Sequence, residues 1–305
     1  MAKACALLFP GQGAQVVGMG IRAAAVLPSC RLLFDAASEI LGYDLLGACT
    51  RGPQALLDAT AVCQPAILVS SLAAVELLAH EHGEGMRKAD VACGLSLGEY
   101  SALVYAGALQ FEDAVKVVRA RGEAMQAASE MDGQPSAMIS VVGVSESEVL
   151  GICCQASAAG SIGIANYLSP TNFTLSGGIA ACEQVEAMCA AREGLRTSRL
   201  PVSGGFHSEY MHPACDALRL ALEAVPLECP RLPVLSNVDA LPHGSPDEMR
   251  GKLLQQLTAP VQWDASMRAA IDRGVTEWVA VGPGKSTAFL LKRISRRAKV
   301  TCVEP

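Results

Sequence analysis

The chain has 305 residues, 51% of them hydrophobic and 18% charged, with a formal net charge of −6. That balance fits a globular protein of one large or two smaller domains and excludes a disordered chain. Negative charge offers no basis for binding nucleic acid, and an acidic partner would need a local basic patch. The twelve cysteines stand singly apart from Cys153-Cys154, with no C-x-x-C pair and no histidine at finger spacing. They read as reduced thiols used as small core residues, with neither a disulfide framework nor a metal site expected. No signal-peptide pattern follows Met1, and no apolar segment approaches membrane-spanning length, so a soluble protein in a reducing compartment is expected.

In chain order, Ala4 to Phe9 reads as a buried strand closed by Pro10-Gly11-Gln12-Gly13-Ala14-Gln15, whose glycines free backbone amides to face a ligand. The spacing from Leu27 to Leu78 predicts several helices, broken at Gly42, Gly52-Pro53 and Gln64-Pro65. Pro65 is expected at the first position of a helix, with Gln64 either facing a pocket or, as the preferred reading, capping that helix.

The next signal is Gly94-Leu95-Ser96-Leu97-Gly98, between an apolar run ending at Cys93 and a helical pattern from Ser101 to Leu109. A strand that turns sharply into a helix holds such a serine in a strained, exposed conformation, so Ser96 is the candidate nucleophile. Cys93 ends the strand and reads as packing. A serine hydroxyl is weak at neutral pH and needs a base, an oxyanion hole and a substrate-recognising group.

Phe111 to Ala128 predicts a helix with an inward stripe of Ala114, Val118, Met125 and Ala128, into which Arg121 falls. A buried arginine calls for either a structural ion pair or a substrate carboxylate that its planar fork binds in two places. Met131-Asp132-Gly133-Gln134-Pro135 reads as a linker. Beyond it the pattern gives a strand (136 to 142), helix (146 to 156), strand (161 to 166), strand (173 to 176), helix (180 to 192) and strand (195 to 200). That order is ferredoxin-like, so residues 129–200 are expected to form a small subdomain inserted between 1–128 and 201–305.

His207 follows Pro201-Val202-Ser203-Gly204-Gly205-Phe206 at the start of a helical pattern, where the macrodipole favours the neutral imidazole a base requires. His80, His82, His212 and His243 lie beside polar or turn residues and are expected at the surface. Strands are predicted over Pro233 to Ser236 and Glu277 to Val281. The terminal basic run, Lys292, Arg293, Arg296, Arg297 and Lys299, reads as a solvated helix face and as the clearest place to dock an acidic partner.

Five segments together resemble the malonyl-CoA:acyl carrier protein transacylase family in order and spacing. They are Pro10 to Gln15, Gly94 to Tyr100, Arg119-Ala120-Arg121-Gly122, Val202 to Ser208, and Gln256-Leu257-x-x-Pro260-Val261-Gln262-Trp263. The resemblance implies an α/β-hydrolase-like body with a ferredoxin-like insert, a monomeric chain, and ping-pong acyl transfer with malonyl-CoA as substrate and no cofactor. Ser96 would be the nucleophile and His207 the base, oriented by the main-chain carbonyl of Gln256, which explains the lack of a triad acid. Gln12 and Leu97 would supply the oxyanion-hole amides, Arg121 would hold the malonyl carboxylate, and Phe206 would leave little room for an α-methyl group. Acyl carrier protein would be the partner, docked on Lys292, Arg293, Arg296 and Arg297.

Two segments depart from the common family pattern. Leu95 stands where histidine is frequent, and Asn166-Tyr167-Leu168-Ser169-Pro170-Thr171-Asn172 only partly follows the usual pocket sequence, with Asn166 as the matching pocket residue. Both details, and Ser236-Asn237-Val238-Asp239-Ala240, resemble the plastid branch. A mature plastid-stromal chain is therefore expected, or otherwise a bacterial cytoplasmic one. Two other readings stay open on the sequence: a thioesterase or esterase of the same fold, and a non-catalytic carrier-protein or coenzyme A binding module.

Overall fold

Two sheets divide the strands between them. The computed structural model describes residues 4–82, 89–131 and 135–305. Strand β1 (Ala4–Phe9) is followed by helices α1 (Ile21–Val26), α2 (Pro28–Leu41), α3 (Leu45–Arg51), α4 (Gln54–Asp58) and α5 (Thr60–His82). Then come β2 (Val91–Gly94), α6 (Gly98–Tyr105) and α7 (Phe111–Ser129). The middle holds β3 (Ser136–Val142), α8 (Glu146–Ala156), β4 (Ile162–Ser169), β5 (Asn172–Gly178), α9 (Ile179–Ala190) and β6 (Arg196–Arg199). The rest comprises α10 (Cys215–Glu223), β7 (Val234–Leu235), α11 (Pro246–Gln255), α12 (Trp263–Asp272), β8 (Val275–Val281), α13 (Ser286–Ile294) and β9 (Lys299–Val303).

The first sheet has the order β7-β2-β1-β8-β9, with every neighbouring pair parallel. Its central strands are apolar almost throughout, as strands covered on both faces must be. The second sheet is antiparallel in the order β4-β5-β3-β6. With helices α8 and α9 between its strands, that is the expected ferredoxin-like arrangement. Part of the expected linker, residues 132–134, lies outside the described residues.

A parallel sheet gathers its loops at the C-terminal strand ends, and ligands bind there. Here those ends carry Pro10 to Gln15 after β1 and Leu95 to Leu97 after β2. Backbone bonds tie the second sheet over this edge: Tyr167 N–H donates to Val261 O at 2.9 Å, and Val261 N–H donates to Ala165 O at 2.8 Å.

Several expectations are corrected. Among the described residues one helix is long and apolar enough to cross a membrane by length and composition, Thr60–Glu81, with a mean hydropathy of 1.8. The expected break at Gln64-Pro65 hides this span in the sequence. The proline is the sixth residue of α5, past the free amides of the first turn, so it removes one bond of the helical ladder without ending the helix. In the fold 78% of the most apolar stretch is buried, and Gly122 of α7 lies so close that a Cβ there would meet Thr60 O at 2.9 Å. Helix α5 is thus a core helix, apolar all round because neighbours cover it all round. Nor is Gln64 a cap, being fully buried within this helix.

The terminal basic run is not one helix face. Lys292 and Arg293 end α13, Arg296 and Arg297 lie in the following turn, and Lys299 opens β9, an edge strand. Lysine on an edge discourages further strand pairing, so the charge pattern that suggests a helix serves a sheet border as well.

Candidate active site

The turn from β2 into α6 depends on two glycines. A Cβ on Gly94 would lie 1.9 Å from the carbonyl carbon of Gly98, and one on Gly98 would lie 2.3 Å from Phe9 O. This packing lets strand, turn and helix cross at backbone distance, and Ser96 between them takes φ +51°, a left-handed conformation costly for a side-chain-bearing residue. Gly11 of the first loop meets the same turn, since its Cβ would lie 2.4 Å from Leu95 O. The Gln12 and Leu97 backbones are thereby brought beside Ser96, and both residues line its cavity.

His207 reaches this turn from the opposite side, in a second strained backbone at φ +58°. Its Nε2 lies 2.8 Å from Ser96 Oγ, and its Nδ1 lies 2.8 Å from the main-chain oxygen of Gln256. A carbonyl only accepts, so Nδ1 carries the proton and Nε2 presents its lone pair to the serine. Burial, and then the nearby Arg121 guanidinium, lower the imidazole pKa from 6.5 to about 4. The neutral form is favoured as expected, but by these two causes. The segment after Ser208 is a short 3-10 helix, Glu209–Ala214, which has little dipole to contribute.

Arg121 is 1% exposed in the middle of α7. It donates to Gln64 Oε1 at 2.8 Å, Gln256 Oε1 at 3.1 Å and Ser96 Oγ at 3.1 Å, while Nε has no hydrogen-bond partner among the described residues. Its guanidinium lies over the Tyr100 ring, 5.5 Å from the centroid. Every hydrogen-bond partner is neutral, so the structural ion pair is not what occupies it. Desolvation lowers its pKa, and the opposing influence of Tyr100 and of Glu99, which bonds Gln256 and not the guanidinium itself, does not make up for it.

Ser96, His207, Arg121, Gln12 and Leu97 share a cavity of about 250 Å³. Asn166 of β4, 8% exposed, and Phe206, 4% exposed, line it as well. The wall is otherwise largely apolar, including Met125, Met138 and Val202. Phe206 is fixed through its main-chain oxygen, which accepts from Ser176 Oγ, and Gly205 N–H donates to Ser136 Oγ at 2.9 Å. The second sheet therefore holds the histidine loop in place. Seven of the eight site residues expected from the sequence line this cavity, and the eighth, Gln256, stands behind it, bonded to His207 and Arg121.

A model of the family described as "Acyl transferase domain" matches residues 6–288. The mitochondrial malonyl-CoA-acyl carrier protein transacylase of Mus musculus is 41% identical over 304 residues, covering 96% of this chain and 79% of the relative. The chain belongs to the malonyl-CoA:acyl carrier protein transacylase family. Among solved transacylase structures, that of Coxiella burnetii matches with a TM-score of 0.93 at 35% identity, covering 99% of this chain and 94% of the other. A malonyl-transacylase solved in complex with a type II PKS acyl-carrier protein matches with a TM-score of 0.91 at 33% identity, covering 98% and 94%.

Sequence reasoning misses four buried polar residues of this transacylase fold. Gln64, expected as a cap, instead orients Arg121. His243, expected at the surface, is buried, with Nε2 2.6 Å from Glu99 Oε1. Its flanking Pro242 and Gly244 suggest an exposed turn, but that turn folds back to bond Val234, placing the ring inward. His80 and His212 are exposed as expected, whereas the His82 side chain lies outside the described residues. Glu99 and Asn237 draw no attention as single polar residues, yet both are fully buried beside the elbow. A glutamate directly after the elbow glycine, on a helix with no exposed face at that turn, is the one available signal.

Proposed function

We infer that this chain transfers a malonyl group from malonyl-CoA to the phosphopantetheine thiol of acyl carrier protein, for fatty acid synthesis, through a malonyl-serine intermediate. The observation that carries the substrate choice is Arg121: a buried cation with only neutral partners, 3.1 Å from the candidate nucleophile. A free carboxylate on the acyl group supplies the missing anion, and its bidentate match to guanidinium sets the thioester carbonyl over Ser96.

Ser96 Oγ attacks that carbonyl while His207 Nε2 takes the hydroxyl proton. The oxyanion is received by the Gln12 and Leu97 amides, each such donor contributing about 3 kcal/mol to lowering the barrier. Collapse breaks the C–S bond, and the imidazolium returns its proton to the coenzyme A sulfur. The carrier thiol then repeats the sequence on the malonyl ester. Gln256 O replaces the triad carboxylate, stabilising the imidazolium less strongly but fixing the same tautomer. Phe206 and Asn166 bound the acyl pocket, the ring limiting space at the α-carbon.

The pH dependence tests the base. With an uncharged serine-directed acylating reagent, so that only protein groups titrate, the rate of Ser96 modification should fall on the acid side with a midpoint near 4. Below that pH imidazolium has no lone pair to offer. Arg121→Met removes the neighbouring positive charge and should move the midpoint upward. A wild-type midpoint near 6.5 would remove His207 as the buried base.

For the carrier, docking is placed on the basic end of α13 and the following turn. Ser286 at the start of α13 lines the cavity, and Lys292, Arg293, Arg296 and Arg297 continue away from it on an otherwise acidic protein. Phe289, 64% exposed on the same helix, adds an apolar contact. Replacing Arg296 and Arg297 together by Gln should raise KM for carrier protein roughly tenfold and leave malonyl-CoA hydrolysis unchanged. Unaltered carrier kinetics would place docking elsewhere. Twelve cysteines with no disulfide framework in their spacing suit a reducing compartment such as a plastid stroma or bacterial cytoplasm.

A further inference from the structure

Behind the reacting groups lies a second layer of buried polar residues that the transfer chemistry does not use directly. Arg121 has only donors, so the Gln256 atom 3.1 Å from it is the amide oxygen, and this fixes which way the amide faces. Gln256 Nε2 therefore points the other way, donating to Glu99 Oε2 at 2.7 Å and to the main-chain oxygen of Ser96 at 3.0 Å. Asn237 N–H donates to the same Glu99 oxygen at 3.1 Å, and His243 Nε2 meets Glu99 Oε1 at 2.6 Å.

Asn237 holds the other side of the elbow. Its Oδ1 accepts from Ser96 N–H at 2.6 Å, and its Nδ2 donates to Gly94 O at 2.7 Å. The main chain of the strained Ser96 is thus gripped at N–H by Asn237 and at C=O by Gln256. Both of those residues are gripped by one carboxylate. Gln256 also comes directly after the last residue of α11, where its carbonyl has left the regular helical ladder and is free to face His207.

We propose that Glu99 is a positioning residue for malonyl transfer, setting nucleophile, base and carboxylate fork together through Asn237 and Gln256, with His243 holding its outer oxygen. The proposal rests on the transfer reaction inferred above. Glu99 touches no reacting atom. Its effect reaches His207 through the Gln256 carbonyl, Arg121 through the Gln256 amide oxygen, and Ser96 through its two main-chain bonds. A displacement near 1 Å at such a site costs on the order of 100-fold in rate, so loss of the common anchor should be felt in turnover more than in binding.

The experiment compares wild type with Glu99→Ala, Glu99→Gln and His243→Leu. Malonylation of Ser96 by malonyl-CoA is followed by rapid quench and intact mass, and modification by an uncharged sulfonyl fluoride is followed in parallel. Circular dichroism sets the folded fraction. Glu99→Ala should lower both maximal rates roughly 100-fold, with KM for malonyl-CoA within about threefold. Glu99→Gln should stay within about tenfold of wild type. Its amide oxygen still accepts from Asn237 and Gln256, and its NH2 can donate to His243 Nε2 once that ring changes tautomer. His243→Leu leaves the acceptor in place but unbraced and should slow both reactions about tenfold.

Folded Glu99→Ala reacting within threefold of wild type overturns the proposal, as does Glu99→Gln as slow as Glu99→Ala. If Glu99→Ala does not fold, a wild-type rate in His243→Leu overturns it. If wild type forms no malonyl-serine at all, the transfer reaction is what fails, and the sulfonyl fluoride arm still reports on Glu99.

Discussion

Arg121→Ala is expected to lower kcat/KM for malonyl-CoA by roughly 100-fold or more, while acetyl-CoA loses less than about tenfold. Truncating one member of a buried, hydrogen-bonded charge pair costs about 2 to 5 kcal/mol, much of it from the charge left alone. In the free protein Arg121 has no anion bonded to it directly; after substitution the malonyl carboxylate is the charge left without a direct partner. Acetyl never used the fork and suffers only from the loosened Ser96 and Gln256 contacts. The preference for malonyl over acetyl should therefore collapse. Equal losses for the two substrates would mean that Arg121 merely supports the elbow and that the selectivity arises elsewhere in the cavity.

That arginine also shows what a sequence discloses. Its position on the inward stripe of α7 can be read from periodicity alone, because a charge among Ala114, Val118 and Met125 is placed on the buried face and needs a partner there. The elbow is equally legible: Gly94 and Gly98 are required by backbone contacts under 2.5 Å, and such requirements leave few alternative residues. The ferredoxin-like order is legible since each of its elements changes period at a turn.

The features that stay hidden depend on contacts between distant segments. Gln64 meets Arg121 across 57 positions and Asn237 meets Ser96 across 141. Nothing local marks either as buried, and a polar residue beside proline or in a turn-like run is ordinarily exposed. Helix α5 illustrates the converse: read alone, its span passes for a membrane helix, and only the elements packed around it reveal a core. The terminal basic run misleads because charge is uninformative about period, whereas the apolar positions that decide β9 are few and alternate over just five residues.

That Ser96 carries the malonyl group between two thiols is tested most directly by intact-mass measurement after mixing the protein with malonyl-CoA. Peptide mapping finds the site, and a second mixing step adds holo acyl carrier protein. The expected result is one malonyl group per chain, located on Ser96, absent in Ser96→Ala, and transferred to the carrier on the second mixing. A chain that gains no malonyl group, or gains one on Ser96 that only water removes while the carrier stays unloaded, contradicts the transfer.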